Sequence, residues 1–312
     1  MAWKIVFAIA ILNNYYIYKI DMISAFTQGD IDAKLYLNPP EGLSYLKLNN
    51  TTYTKDNSIL LLLNKALYGL KQSARIWYFT LVKRLGELDF KPLNTENCIF
   101  INKNKNIIIC IYVDDLAIIG PNTNDISDLI STLKKSFKLK DLGIIKDYLG
   151  IDINISNNNK TLELSQAKYT SKILAKYNMD NCNPIYTPLD TKLKLIPNNE
   201  QASKEDIKLY QGIIGSLLYL VLGTRIDIAY TIIKLARFAS NPSKEHFIAI
   251  KRLLRYLKAT ISYSITYRPK NIDNYITGYC DADYAGDIAS SKSTTGYIFY
   301  FANSLISWKS KL

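Results

Sequence analysis

A chain of 312 residues is long enough for two or three domains and a sizeable buried core. Lys and Arg number 39 against 27 Asp and Glu, and the resulting charge of +12 is spread along the chain, which favours a polyanionic partner, nucleic acid ahead of an anionic membrane. Cys98, Cys110, Cys182 and Cys280 stand far apart with no C-x-x-C, and His246 is the single histidine, which argues against a zinc site and a disulfide framework and for thiols in a reducing compartment.

In chain order, the apolar run from Ile5 to Leu12 is too short to span a bilayer and has no clear cleavage site, so it predicts a core helix over residues 3–12, and no targeting signal is evident. "YYIYKIDM" is β-prone and puts Asp21 near the end of a strand. A Gly- and Pro-marked loop, "LNPPEGL", and a polar stretch from Asn49 to Ser58 follow. "KALYGLKQSARIWYFTLVKRLGELDF" predicts a glycine-containing turn and a long amphipathic helix. "IIICIYVDDLAIIG" predicts a hairpin carrying Asp114 and Asp115 at its tip. Beyond it the sequence predicts a helix from Asp125 to Phe137, one short strand in "DYLGIDINIS", a polar turn at Asn157 to Asn159, a strand in "TLELSQ" and a helix in "AKYTSKILAKYN". The Pro- and Asn-rich stretch from Cys182 to Asn199 reads as a domain boundary. Helices are expected near residues 204–222, 227–238 and 243–260, then strands in "YITGYCDADYAGD" and "TTGYIFYFANSLISW".

Two adjacent aspartates after a buried run need compensation. At an effective dielectric near 20, like charges about 4 Å apart repel by about 4 kcal/mol, so a cation is the natural partner. Magnesium takes hard oxygen ligands and keeps sites open for water and phosphate. Phosphoryl transfer uses two such ions roughly 3.5–4 Å apart, which calls for a third carboxylate from another strand, and Asp21 fits. The plainer reading of "YVDD" alone is a solvated Asp-Asp turn.

Taken in order, "DMISAF", "KALYGLKQSARIWY", "YVDD", "LKKSFKLKDLG" and "YLGIDI" resemble the reverse transcriptases of Ty1/copia-type retrotransposons over nearly the whole chain. The resemblance implies an α+β fold: a right-hand polymerase palm with an antiparallel sheet and helices over 1–155, a mainly helical thumb or connection region over 156–265, and the opening of a ribonuclease H-like domain over 266–312. It implies RNA-directed DNA synthesis with two Mg2+ ions, or Mn2+ in their place, held by Asp21, Asp114 and Asp115, of which Asp115 matches a direct ligand least firmly. Phe26 matches the aromatic gate under the incoming sugar, with a core phenylalanine as its plainer reading. Gly69 matches a close backbone approach to nucleotide and template, with a turn glycine as its rival. Lys71 and Arg75 are candidate nucleotide and template contacts, with a solvated helix face as theirs. Implied partners are an RNA or DNA template with its primer and deoxynucleoside triphosphates, with no membrane and an oligomeric state left open. The family places such chains in cytoplasmic virus-like particles or the nucleus.

In "HFIAIKRLLRYLKAT", Lys251, Arg255 and Lys258 share one helical face opposite Ile250, Leu253, Leu254 and Leu257, a geometry that suits a nucleic-acid backbone. "DADYAGD" has calcium-loop spacing at Asp281, Asp283 and Gly286, but Ala285 and Lys292 replace required ligands, so calcium is rejected. In the family, Asp281 matches the first metal-binding carboxylate of ribonuclease H. Thr27 stands where an apolar residue is usual and Ala74 where proline is usual. The resemblance also leads us to expect that most of the fingers lie before this chain and the remaining ribonuclease H acids after it. That leaves two rivals to a polymerase: a nucleic-acid-binding remnant without turnover, and a structural subunit beside a full-length enzyme.

Overall fold

The computed structural model describes residues 2–38, 52–53, 59–156, 160–190, 193, 195–268, 275–284, 286 and 291–312. Most of the "LNPPEGL" loop and of the Asn49 to Ser58 stretch, the turn at Asn157 to Asn159, and Ala285 lie outside them. The fold is a mixture of antiparallel sheets and helices, and it divides into two compact units, one of residues 16–144 and one of residues 1–15 with 145–312.

The first unit is built on a six-stranded antiparallel sheet. Its strands are β1 (Tyr16–Met22), β5 (Lys91–Leu93), β6 (Glu96–Asn102), β7 (Ile107–Tyr112), β8 (Asp115–Gly120) and β9 (Leu139–Ile144), in the order β5-β6-β7-β8-β1-β9. A small sheet of β2 (Tyr36–Leu37), β3 (Thr52–Tyr53) and β4 (Ile59–Leu62) has the order β2-β4-β3. Helices α2 (Ser73–Glu87) and α3 (Thr123–Lys134) bury Trp77, Leu81, Leu85, Ile126 and Leu133 in one core with Ile20 and Met22 of β1. Side chains alternate across a strand, so the even positions of β1 serve this core and Lys19 and Asp21 stand on the other face. α3 starts two residues before the predicted span because Asn122 accepts from the Asn124 backbone N–H and caps its first turn, and it ends at Lys134, three residues before the predicted end.

The second unit opens with α1 (Ala2–Leu12), the expected core helix. Its four-stranded sheet runs β10 (Asp147–Tyr148), β11 (Ile151–Ser156), β12 (Thr161–Ser165), β13 (Ser264–Tyr267). "DYLGIDINIS" is thus two strands and not one. Leu149 and Gly150 take φ of 51° and 74°, the left-handed pair of a two-residue hairpin turn, and the Tyr219 hydroxyl donates to the Leu149 carbonyl at 2.8 Å.

Helices α4 (Ala167–Lys176), α5 (Lys204–Gly223), α6 (Ala229–Ala236) and α7 (Lys244–Ala259) form the helical core. The stretch read as a boundary runs inside this unit: Ile185, Leu189 and Leu193 pack against that core and Leu195 is buried in it. A three-stranded sheet, β14 (Ile276–Ala282), β15 (Thr295–Phe301) and β16 (Ser304–Lys311), follows. "TTGYIFYFANSLISW" is also a hairpin, turning at Ala302 and Asn303 with φ of 46° and 59°. Lys4 of α1 is buried and caps the end of α5, donating to the Gly223 carbonyl at 2.7 Å, with its ammonium 3.6 Å from the Trp308 ring centroid. No helix among the described residues is long and apolar enough to cross a membrane.

Candidate active site

The acidic site is assembled by strand register. β1 runs antiparallel to β8 with Asp21 directly opposite Asp115, and the hairpin turn of Val113 and Asp114 continues from β8, so three carboxylate residues from two segments meet at one end of the sheet. All three are half-buried. On the other side of β1, Asp21 faces Lys140 of β9, which is exposed.

The turn is held under tension. Val113 has φ of 55°, a left-handed conformation that a β-branched residue adopts at a cost of about 1–3 kcal/mol. Two hydrogen bonds offset it: Trp77 Nε1 of α2 donates to the Val113 carbonyl at 2.7 Å, and the Met22 backbone N–H donates to the Asp114 carbonyl at 2.8 Å. Each contributes about 1 kcal/mol. Trp77 is buried and packs edge-on against Phe137, so the turn is anchored to the core below it.

Asp115 is not left as a bare carboxylate. Lys19, two residues before Asp21 on the same face of β1, places its Nζ 3.0 Å from Asp115 Oδ1, and the lysine side chain is almost wholly buried. Diagonal neighbours in an antiparallel pair are within reach of a side chain as long as lysine. Among the described residues no three His, Cys, Asp or Glu side chains are gathered into a group that would hold a metal ion. The backbone therefore brings Asp21, Asp114 and Asp115 together, while the Asp115 carboxylate is directed to Lys19.

Phe26 follows on a short 3-10 turn, Ala25–Gln28, entered through Ser24 at φ 50°. The Gln28 side chain pins this segment by donating to the Lys138 carbonyl at 2.9 Å and accepting from the Lys138 N–H at 2.8 Å, completing the sheet edge with a side-chain amide. Gly29 lets the turn approach α2, since a Cβ there would stand 2.6 Å from Ile76 Cγ2. Phe26 is half-buried and lies against Tyr68, ring centroids 4.5 Å apart.

Gly69 has φ of 98°, and a Cβ there would meet nothing within 4 Å, so what its turn demands is the left-handed backbone. Lys71 is exposed, and the Arg75 guanidinium pairs with Asp32 at 2.5 Å on the surface of α2. Thr27 donates to the Ser24 carbonyl, a polar use of its position, and Ala74 lies exposed in the first turn of α2.

The remaining expected site residues belong to the second unit. Lys251 is exposed on α7, while Lys258 is half-buried and Arg255 Nε donates to the Asn183 carbonyl at 2.7 Å, so the expected cationic row is partly spent on holding the 182–190 segment. Asp281 is exposed on β14 and lines a cavity of about 630 Å3 with Asp283, Tyr230 and Lys309. Sequence reasoning passed over Lys19, Gln28, Tyr68 and Trp77. Only Lys19 carried a signal, a cation at an alternating position between the apolar residues of a buried strand.

Comparison with known proteins identifies the family. Residues 2–191 match the family described as reverse transcriptase (RNA-dependent DNA polymerase). The chain is 36% identical over 302 residues to the retrovirus-related Pol polyprotein from transposon TNT 1-94 of Nicotiana tabacum, covering 94% of this chain and 22% of that protein. It is 34% identical over 312 residues to the corresponding polyprotein from transposon RE1 of Arabidopsis thaliana, covering 99% and 20%. Against the transposon Ty1-NL2 Gag-Pol polyprotein of Saccharomyces cerevisiae it is 30% identical over 322 residues, covering 97% and 18%. The chain spans about a fifth of the length of these relatives. A family match over more than half the chain and relatives along nearly all of it lead to one conclusion: the chain belongs to the reverse transcriptase family of Ty1/copia-type retrotransposon Pol polyproteins.

Proposed function

We propose that this chain carries the polymerase site for RNA-directed DNA synthesis, with residues 1–155 as palm, 156–265 as thumb or connection and 266–312 as the opening of a ribonuclease H-like domain around Asp281. The observation that carries the reading is the register of β1 on β8, which sets Asp21 opposite Asp115 with Asp114 in the adjoining turn. The donor chemistry suits a hard divalent cation, half-buried carboxylates at one end of a sheet whose other face is packed, and a bound ion would draw together side chains that are not themselves gathered into a metal-holding group. Magnesium ions bound there would activate the primer 3′-hydroxyl and stabilise the departing pyrophosphate.

This chain's own residues do the rest. Asp21 and Asp114 supply the oxygens, with Asp115 beside them. Trp77 and Met22 fix the turn that aims Asp114. Phe26, braced by Tyr68, would leave no room under the incoming sugar for a ribose 2′-hydroxyl, which would select deoxynucleotides. Lys71 and Arg75 offer cations to triphosphate and template. Lys251, Arg255 and Lys258 offer cations to the primer-template backbone.

The test is magnesium-dependent primer extension beside a gel-shift titration, on this chain and on a Pol polyprotein that carries its residues. Asp114→Asn should abolish extension and leave primer-template binding intact. Extension that survives Asp114→Asn would remove the assignment. The Lys19–Asp115 pair favours a second reading, a nucleic-acid-binding chain without turnover, for which the same assays would give binding and no extension in either context.

A further inference from the structure

We propose that Lys19 is a resident counter-cation of the acidic site: it holds Asp115 in an ion pair, leaves Asp21 and Asp114 as the carboxylates that take a divalent cation, and thereby sets how tightly that cation binds. The inference rests on the metal-holding reading of Asp21 and Asp114. Three observations carry it. Lys19 Nζ lies 3.0 Å from Asp115 Oδ1. The lysine stem is buried on the same face of β1 as Asp21, so its charge is poorly screened and fixed in place. No ion pair is formed by Asp21 or Asp114 among the described residues, and no three acidic side chains there form a metal-ready group.

Asp21, Asp114 and Asp115 with Lys19 sum to −2. Lys19→Gln leaves −3 and releases Asp115 toward the site, whereas Asp115→Asn leaves −1 with an unpaired lysine beside the cation. Removing both restores −2. If the pair acts as a neutral unit, the double variant should bind a divalent cation as the parent does. A directly ligating Asp115 would instead make the double variant, which has lost a ligand at unchanged net charge, bind more weakly than the parent. Lys140, opposite Asp21 but exposed, serves as a control for simple loss of positive charge.

The experiment is a Mn2+ titration of the purified chain, followed by the paramagnetic signal of free Mn2+ and by the shift in thermal denaturation that saturating Mn2+ produces. Lys19→Gln should tighten Mn2+ binding by roughly tenfold and enlarge the thermal shift. Lys19→Arg should bind Mn2+ as the parent does, Lys140→Gln should change affinity about twofold at most, and Asp21→Asn or Asp114→Asn should abolish binding. Unchanged or weaker binding in Lys19→Gln, with the Asp21 and Asp114 variants still inactive in binding, would overturn the role of Lys19 and leave the site reading standing. Mn2+ binding that is absent from the parent, or indifferent to Asp21→Asn and Asp114→Asn, would instead overturn the site reading. Should Lys19→Gln fail to fold, the double variant, in which neither charge is left unpaired, decides the question by its affinity relative to the parent: equal affinity supports the role of Lys19, and weaker binding overturns it.

Discussion

The rings of Phe26 and Tyr68 stand 4.5 Å apart and are tilted by 40°, so the residue proposed to gate the sugar is braced from one side by an exposed tyrosine. A ring with a neighbour at that distance gains about 0.5–1.5 kcal/mol from the pair and loses rotational freedom. Phe26→Val should therefore admit ribonucleotides, and Tyr68→Ala should admit them to a smaller degree because the gate remains but loses its brace. Single-nucleotide extension with paired ribo- and deoxynucleotides measures both. Unchanged sugar discrimination in Phe26→Val would return that residue to a packing role.

The Val113–Asp114 turn supports a prediction about stability that does not need an activity. Trp77→Phe keeps most of the buried ring but removes the Nε1–H donated to the Val113 carbonyl, and it should cost roughly 2 kcal/mol, the bond plus a small cavity. Val113→Asn should act in the other direction. Asparagine tolerates the left-handed φ of 55° that valine does not, and Val113 packs little, so a gain of about 1 kcal/mol is expected. Urea unfolding of the two variants decides it, and a destabilised Val113→Asn would show that the turn stores no strain.

What the sequence disclosed and what it hid follow from the range of the forces involved. Asp21 on a strand and Asp114 and Asp115 on a hairpin were legible because alternation and a short turn are local patterns. So were α1, α2 and α5, whose apolar faces repeat at the helical period. The turns at Leu149–Gly150 and Ala302–Asn303 were passed over because only Gly150 and Asn303 advertise a left-handed backbone, and each was read as part of one longer strand. β13 was missed for a different reason: Ser264–Tyr267 is four residues whose partner, β12, lies about a hundred residues earlier in the chain. The Lys19–Asp115 pair and the Trp77 anchor likewise depend on register between distant segments, which no window of sequence contains.

His246 supplies a pH dependence with a defined sign. Its Nδ1 accepts the Ser243 backbone N–H at 2.8 Å, closing a capping box at the start of α7, and its ring stacks on Phe238 at 3.8 Å. That bond needs a neutral ring protonated on Nε2, and burial lowers the pKa below its ordinary 6.5. Below pH 6.5 the unfolded chain then binds a proton that the folded chain does not. The stabilisation is full above 6.5 and is lost as pH falls through the lower folded value. Glu245, held down by the Ser243 hydroxyl, acts in a more acidic window below its ordinary 4.5. His246 is the only histidine, so one imidazole resonance reports its titration directly. His246→Gln, which keeps an acceptor for the cap, should flatten the stability profile just below pH 6.5, and a folded pKa at or above 6.5 would overturn this assignment.

The α7 cations are not equivalent, and salt dependence separates them. Lys251 is exposed with its charge in solvent, whereas Arg255 spends its Nε on the Asn183 carbonyl while its own carbonyl accepts the Ile185 N–H. Each phosphate neutralised in a duplex adds about 0.9 to the slope of log affinity against log salt. Lys251→Glu should therefore weaken primer-template binding at low salt and lower that slope by about one, with little change in unfolding free energy. Arg255→Glu should lower stability as well, because the 182–190 segment loses a latch on α7, and part of its binding loss should vanish when measured well below the unfolding midpoint. Asp114→Asn belongs to the other unit and should leave the slope untouched. Gel-shift titrations from 50 to 200 mM salt, beside urea unfolding of the same proteins, test all three. A slope that Lys251→Glu does not change would take α7 out of the nucleic-acid interface, and no primer-template binding at any salt would remove the polymerase reading of this chain altogether.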